Sequence, residues 1–524
     1  MSRTVKMGAA AAVVSGGIFL SRLLGLVREG LIAGLIGVNA EGDLYRHAFA
    51  IPDFLSYLLA GAYLTITLIP ILSRHVENQD PDRANQAFTS VFRFVGLGIV
   101  GLTVIMWILA PQLVELVFPA VPEEHGRLID LTRIVLPAQI FLVAGSVLMA
   151  AQYTHRRFVI PAIAPLIYNL GIIGGGLIGW GLGDPSPESF LWGAVAGSAI
   201  GNFGLQWVGA RRAGMRLVPV TEGGSAVREY LTLALPLMLG QSVAVLDEQF
   251  INWFGQIETS ATSALFFARR LNMVPIGVIA QAAGVAAYPF LARLAAGNRM
   301  DELNETTERA ARTTIFVASG ATALLVVLAG PLVWLIYNYG EFTDANADLV
   351  AGLLVIYAFS IPAWGLHQLI SRHFYAKRRM WVPVGIGTAA TVVAIPTWLM
   401  LHDAYGVEGF ALASTAVMVL YAVGLLIAWG TDAGWGGVSR VGPSLVRGLV
   451  SAGLAAAVAV PLVNALTSAE PGLVENLMVT LVGAVTAIAG FLLAALLLRS
   501  PELRQLSARF RRGKAQEAGG SDGG

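Results

Sequence analysis

Cysteine is absent from the chain, which excludes a disulfide framework, a thiol nucleophile and thiolate metal ligation. Charge is the second scarcity. Asp, Glu, Lys and Arg make up 13% of the 524 residues, against roughly 25% in a soluble globular protein. With 56% hydrophobic residues and a mean hydropathy of +0.69, too little polar side chain remains to cover a water-facing surface, so much of the surface faces lipid. The seven histidines show no metal-ligand spacing. No nucleotide-binding loop is present, so ATP hydrolysis by this chain is not expected. The net charge of +1 singles out no partner, and nucleic acid is not expected as one.

What the chain has in quantity is long apolar runs. They fall near 8–37, 44–73, 87–112, 128–153, 158–180, 188–210, 230–256, 262–291, 312–338, 347–373, 381–402, 407–430, 443–466 and 474–498. A spanning helix needs about 20 mostly apolar residues, because the hydrocarbon layer is ~30 Å thick. A membrane β-barrel would instead show ~10-residue stretches of alternating polarity. The runs are continuous and rich in Leu, Ala, Val and Gly, so the expected fold is an all-α integral membrane protein of about fourteen transmembrane helices. The opening segment runs past Arg22 and Arg28 to Gly37, longer than the apolar core of a cleaved signal, and reads as a retained first span. Connecting loops are short, and the end of the chain, after Arg499, is charged and then Gly-rich.

Loop charge gives the orientation, since Lys and Arg concentrate on the cytoplasmic side. Arg74 and Arg83, Arg156 and Arg157, Arg211 and Arg212, Arg293 and Arg299, then Lys377, Arg378 and Arg379 follow the even-numbered spans. The alternate loops carry Glu123 and Glu124, Asp184 and Glu188, Glu258, Glu341 and Asp344, Asp403, Glu470 and Glu475. Both termini are therefore expected in the cytoplasm.

Two segments recur. AQYTHRRFVIP (151–161) returns as HFYAKRRMWVP (373–383), 222 residues on. Pro52 followed by PILSR (70–74) returns as Pro275 followed by PFLAR (289–293), at offsets of 223 and 219. The offset covers six spans, an even number, so the halves are parallel repeats around an axis along the membrane normal. The expected organisation is an N-lobe (1–218), a C-lobe (225–431), two added helices (443–498) and a cytoplasmic tail (499–524). Two six-helix lobes around a central cavity suit alternating access.

Charge inside a span is costly and marks function or pairing. Arg22, Arg28 and Glu29 lie in the first span; Asp43, Arg46, His47 and Asp53 lie around the start of the second. Asp247 and Glu248 lie in the seventh, Arg269 and Arg270 in the eighth, whereas the spans after 380 are nearly free of charge. For any single residue, structural pairing or snorkelling is the plain alternative. As a cluster, basic residues from the early helices of both lobes suit an anion such as a pyrophosphate, because guanidinium matches phosphate oxygens bidentately. Asp247, Asn252, Thr388, Thr391, Ser414 and Thr415 are candidates for an oxygen-lined coupling-cation site, with ordinary interhelical hydrogen bonding as the equal alternative. The glycine-rich patch 171–176 reads as helix packing.

FLSRLLGLVREGLIAGLIG (19–37) resembles the lipid II flippases of the MurJ/MviN type, within the superfamily of multidrug and polysaccharide exporters. The resemblance continues through AFAIPDFLSYLLAGAYLTITLIPILSR (48–74), IPAIAPLIYNLGII (160–173), FFARRLNMVPIGVIAQAAGVAAYPFLARL (266–294), YNYGEFT (337–343) and FYAKRRMWVP (374–383), and so covers both lobes. It implies export of an undecaprenyl-pyrophosphate-linked disaccharide-pentapeptide from the inner to the outer leaflet. Arg22, Arg28, Glu29, Asp43 and Arg270 match the family's cavity residues, and 443–498 its groove for the polyprenyl tail. It also implies a membrane potential or a sodium gradient as driving force, no cofactor and no catalysis. Its partners are a lipid-linked cell-wall precursor, membrane lipids and cell-wall synthesis proteins. The chain departs from the pattern on the second span, with Asp53 for Asn, Ser56 for Arg and Gly61-Ala62 for Glu-Gly, and it carries Arg269 where an acidic residue is common. Those departures leave a rearranged charge network around the same substrate or an exporter of another lipid-linked oligosaccharide; a cation-coupled drug antiporter is the further alternative, disfavoured by fourteen rather than twelve spans and by the arginine-rich cavity.

Overall fold

The computed structural model describes residues 3–59, 63–220, 223–239, 243–280, 286–468 and 472–505. Gly61, Ala62, Glu470 and the tail from 506 onward lie outside the described residues. Helices account for nearly all of the rest, and no strand occurs among the described residues. The first part of the chain contains α1 (Arg3–Leu35), α2 (Ala40–Leu59), α3 (Tyr63–Glu77), α4 (Pro81–Ile108), α5 (Ala110–Val117), α6 (His125–Val135), α7 (Ala138–Thr154), α8 (Val159–Gly181) and α9 (Pro187–Gly197). A π-helical stretch, Ser198–Leu205, joins α9 to α10 (Gln206–Arg212). Then come α11 (Gly223–Leu239), α12 (Val243–Gly255), α13 (Ala261–Ala280), α14 (Ala286–Ala296), α15 (Met300–Tyr337), α16 (Asp344–Ala358), α17 (Ile361–Ala376), α18 (Trp381–Tyr405), α19 (Val407–Ala433), α20 (Trp435–Leu466) and α21 (Leu473–Leu497).

The apolar segments read from the sequence fall almost entirely on helix among the described residues. Among the described residues, eight helices are long and apolar enough to cross a membrane, or nine if the bent pair α16–α17 counts as one span. Their large exposed side chains, such as Leu97, Trp180, Val392, Val458 and Leu481, cover the surface that the scarcity of charge assigns to lipid.

The chain divides into two compact units, Met1–Ser263 with Ile336–Thr343, and Ala264–Leu335 with Asp344–Gly524. The core of the first unit packs Leu68, Ile71 and Leu72 of α3 against Phe88 and Val91 of α4, Val147 and Leu148 of α7, and Tyr230 of α11. In the second unit α20 and α21 lie along α15, with Phe316 and Phe491 in ring contact at 5.1 Å and Ala452, Ala455 and Ala495 filling the gaps. The stretch after α21 packs onto this bundle. Glu502 is 1% exposed and accepts from Arg312 Nε (3.0 Å) and Nη2 (2.8 Å), Ser444 Oγ (2.6 Å) and Ser500 Oγ (2.7 Å).

The internal repeat is written in the backbone as well as in the sequence. The turn after α7 places Arg156 at φ 56°, and the turn after α17 places Arg378, 222 residues on, at φ 58°. Arg157 N–H donates to the Gln152 carbonyl and Arg379 N–H to the Phe374 carbonyl, both at 2.9 Å. The turns after α3 and α14 match in the same way. Gln79 and Asn298, 219 apart, have φ 57° and 56°, with bonds from Asp80 to His75 (3.0 Å) and from Arg299 to Leu294 (2.9 Å). Left-handed backbone is uncommon for a side-chain-bearing residue, so two matched pairs of such helix ends show that the recurring segments share local backbone as well as sequence. His373 is a buried residue of α17, its Nδ1 2.9 Å from Thr307 Oγ1.

Candidate functional site

The first unit concentrates its buried charge where α1, α2 and α8 meet. Glu29 is 2% exposed. Its Oε1 accepts from Arg28 Nη2 at 2.5 Å, and its Oε2 accepts from Arg46 of α2. Arg28 Nη1 donates to Asn169 Oδ1 of α8 at 3.0 Å. Asn169 is held in turn by its Nδ2, which donates to the Pro165 carbonyl (3.0 Å) and to Ser21 Oγ (3.3 Å). The Arg28 Nε is buried with no hydrogen-bond partner among the described residues. Arg46 also lies over the Tyr45 ring, 5.3 Å from its centroid. Two guanidiniums thus share one carboxylate. The trio carries one positive charge in excess, with Asp53, which interacts with Arg28, Gln139 and Glu248, as its acidic flank.

A buried charge set of this kind is a weak source of stability, because desolvation offsets the Coulombic gain. Its chemical consequence is clearer. Oxygen-rich anions compete with Glu29 for the same donors, and guanidinium binds phosphate oxygens in the fork geometry it uses for carboxylate.

Asp43 makes its bonds outside this trio. Both of its oxygens are engaged by backbone, Oδ2 by Ser260 N–H and Oδ1 by Ser263 N–H, each at 2.7 Å. It thereby satisfies amides at the start of α13 that have no intrahelical partner. One turn later His47 is buried, its Nε2 3.0 Å from Thr262 Oγ1 and its ring 4.5 Å from Phe118. The N-terminal half of α2 is therefore knit to 260–263. Ser56 bonds to Gln139 of α7.

The other predicted residues are distributed more widely. Arg22 is exposed on α1, six residues from Arg28. Arg269 is buried and Arg270 exposed, both on α13 within the second unit. Asp247 and Asn252 are buried on α12 in the first unit, whereas Thr388, Thr391, Ser414 and Thr415 belong to the second. The Thr388 and Thr391 hydroxyls donate to carbonyls four residues back in their own helix, and Thr415 to the Ile356 carbonyl. No group of three or more His or acidic residues placed to hold a metal occurs among the described residues.

Sequence reasoning missed Asn169. Its signal was available, since Asn169 is the one amide in the otherwise apolar α8, and such a group is expected to find a partner across helices. The glycine patch behaves as read. A Cβ on Gly171 would lie 2.5 Å from the Gly197 Cα, and one on Gly175 2.9 Å from the Gly193 Cα, so these glycines let α8 and α9 touch backbone to backbone.

Fold and buried charge together define a multi-pass membrane transporter. The backbone is similar to that of a lipid II flippase MurJ solved in an inward closed conformation, with a TM-score of 0.73 and 20% identity over 93% of this chain and 98% of that one. It is also similar to an inward-facing multidrug resistance MATE family transporter of the MOP superfamily (TM-score 0.64, 14% identity, 83% and 98%). The sequence profile of the family described as lipid II flippase MurJ matches residues 32–483, and the chain belongs to that family. Relatives include the probable lipid II flippase MurJ of Rhizobium meliloti, 25% identical over 83% of this chain and 82% of the relative. That of Thermotoga maritima is 23% identical over 94% and 97%.

Proposed function

We propose that this chain carries lipid II, the undecaprenyl-pyrophosphate-linked peptidoglycan precursor, from the inner to the outer leaflet of a bacterial cytoplasmic membrane. The observation that carries the reading is the Arg28–Glu29–Arg46 trio braced by Asn169. In the unloaded protein Glu29 holds the two guanidiniums in place and offsets part of their charge. A pyrophosphate displaces Glu29 from one or both, with Arg22 and, from the C-lobe, Arg269 and Arg270 adding positive charge along its path. Binding by exchange keeps the site from holding a bare buried cation pair in either state.

The lobes 1–218 and 225–431 alternate access by rocking, α20 and α21 carry the polyprenyl tail, and both termini are cytoplasmic. A membrane potential or a sodium gradient drives the cycle, with Asp247 and Asn252 as the first place to look for a coupling cation. No covalent step is assigned to the chain, and cell-wall synthesis proteins are its expected neighbours. The test is rescue of a bacterium depleted of its own lipid II flippase, with membrane expression verified. Rescue by the wild-type chain and loss of rescue in Arg22→Ala, Arg28→Ala and Arg270→Ala at equal expression are expected. Normal growth of all three variants contradicts the cavity assignment.

A further inference from the structure

Within the first unit, where α4 begins and α7 and α10 finish, the structure holds a cavity of about 310 Å³. Phe88, Leu148, Trp207 and Met215 form its apolar wall, with Arg211 and Arg216 beside them. The wall is firmly packed. Phe88, Leu148 and Met215 are buried, and the Trp207 indole packs on both Phe92 and Phe203, with centroids 5.9 and 6.1 Å away. The two arginines are placed by the backbone. After α10 the chain reverses through Gly214 at φ 99°, and Met215 N–H donates to the Ala210 carbonyl at 3.1 Å. The returning segment is then fixed to α4: Arg216 N–H donates to Asn85 Oδ1 (2.8 Å) and Val218 N–H to Thr89 Oγ1 (3.1 Å). Arg211 lies over the Trp207 ring, 5.9 Å from its centroid. Among the described residues, neither Arg211 nor Arg216 pairs with a carboxylate.

We infer that this cavity binds the headgroup of an anionic phospholipid, with its phosphodiester on Arg211 and Arg216 and its glycerol and first methylenes against Trp207 and Leu217. The ligand class follows from the lining. Two guanidiniums without a carboxylate call for an anion, and their planar fork matches phosphate oxygens. The remaining lining is apolar and aromatic, which a free inorganic anion leaves unused and a lipid's methylenes cover. Leu217, also in the lining, is 44% exposed, so the apolar wall continues out to the surface where acyl chains run. The volume equals that of about ten waters at ~30 Å³ each. That is room for a phosphoglycerol group and not for two acyl chains, which stay in the bilayer. An arginine that only snorkels to the headgroup layer needs no cavity. Here a left-handed turn and main-chain bonds to α4 bring two of them to the same one. A lipid seated there touches α4 through Phe88, α7 through Leu148 and α10 through Trp207, so its binding stabilises the folded unit by mass action.

The test titrates the purified full chain in detergent with dioctanoyl phosphatidylglycerol, read by tryptophan fluorescence. The wild type should show a saturable change that Trp207→Phe lacks and that dioctanoyl phosphatidylcholine does not produce. Arg211→Gln with Arg216→Gln should shift the titration to about tenfold higher lipid or more. Both side chains are exposed, so the variant is expected to fold. Arg156→Gln with Arg157→Gln removes the same charge from the exposed turn after α7 and should leave the titration where it was. An equal shift in the two double variants means diffuse attraction to a basic surface and overturns the site. An equal response to the two lipids overturns it as well. Displacement of the lipid by millimolar inorganic phosphate overturns a lipid ligand in favour of a free anion. A second measurement needs no variant: phosphatidylglycerol should raise the thermal unfolding midpoint of the wild type more than phosphatidylcholine does. Equal midpoints with the two lipids overturn the site even if the glutamine variant misfolds.

Discussion

Replacing Glu29 by glutamine keeps the shape of the side chain and removes the one carboxylate that two guanidiniums share. Removing one member of a buried ion pair costs about 3–5 kcal/mol, because the remaining charge is left uncompensated. Arg28 and Arg46 are 13% and 12% exposed, so some solvent reaches them, and about 2–3 kcal/mol is the expected loss for Glu29→Gln after that discount. Adding Arg46→Gln removes the repulsion that the first substitution created. The double variant should therefore be more stable than the sum of the singles by about 1–3 kcal/mol. Denaturant unfolding of the purified protein in detergent, followed by tryptophan fluorescence, measures all three. A Glu29→Gln loss under about 0.5 kcal/mol together with strict additivity refutes the reasoning, since it means that the two arginines do not depend on Glu29.

Gly193→Val should separate α8 from α9, because a Cβ at Gly193 already lies 3.0 Å from the Gly175 Cα and nearer still to the Gly171 carbonyl. Overpacking of this kind costs typically ~1–3 kcal/mol, read as a lower unfolding midpoint, and an unchanged midpoint contradicts the backbone contact. Burial alone would raise the Glu502 carboxyl, but hydrogen bonds from Ser444, Ser500 and Arg312 more than offset it and hold it below its ordinary value of 4.5. A depressed carboxylate stabilises the folded state above its unfolded value, and that stabilisation is lost as pH falls through the folded value. The stability gap between wild type and Glu502→Gln should accordingly stay level from neutral pH down to 4.5 and close below it; a gap that closes on the alkaline side contradicts the assignment. Asp247→Asn should weaken transport driven by a sodium gradient while leaving protein expression unchanged. Equal transport under sodium and potential gradients removes Asp247 from coupling.

Most of the helical frame was legible because lipid imposes it. A run such as 474–498 has no other way to satisfy its backbone in hydrocarbon, and it forms α21. The repeat was legible twice over, since AQYTHRRFVIP and HFYAKRRMWVP form the same left-handed turn as well as the same string of residues. The pairing of the charges was not. Arg22 and Glu29 are seven apart on one helix, yet Glu29 pairs with Arg28 beside it and with Arg46, seventeen residues on. Helical spacing reports a face and not the neighbouring helix that the face meets. Asp43 shows the same limit, because its partners lie 217 and 220 residues away and are backbone amides, which carry no mark in the sequence. Asn169 could have been found by asking what a lone amide does in an apolar span.

The central claim is that the chain moves a pyrophosphate-linked cell-wall precursor through an arginine-lined path. The most direct measurement reconstitutes the purified protein in proteoliposomes and follows labelled lipid II to the opposite leaflet, for the wild type and for Arg28→Ala. Movement by the wild type and background movement by the variant are predicted. Failure to move lipid II, with transfer of another undecaprenyl-linked oligosaccharide under the same conditions, would contradict the account.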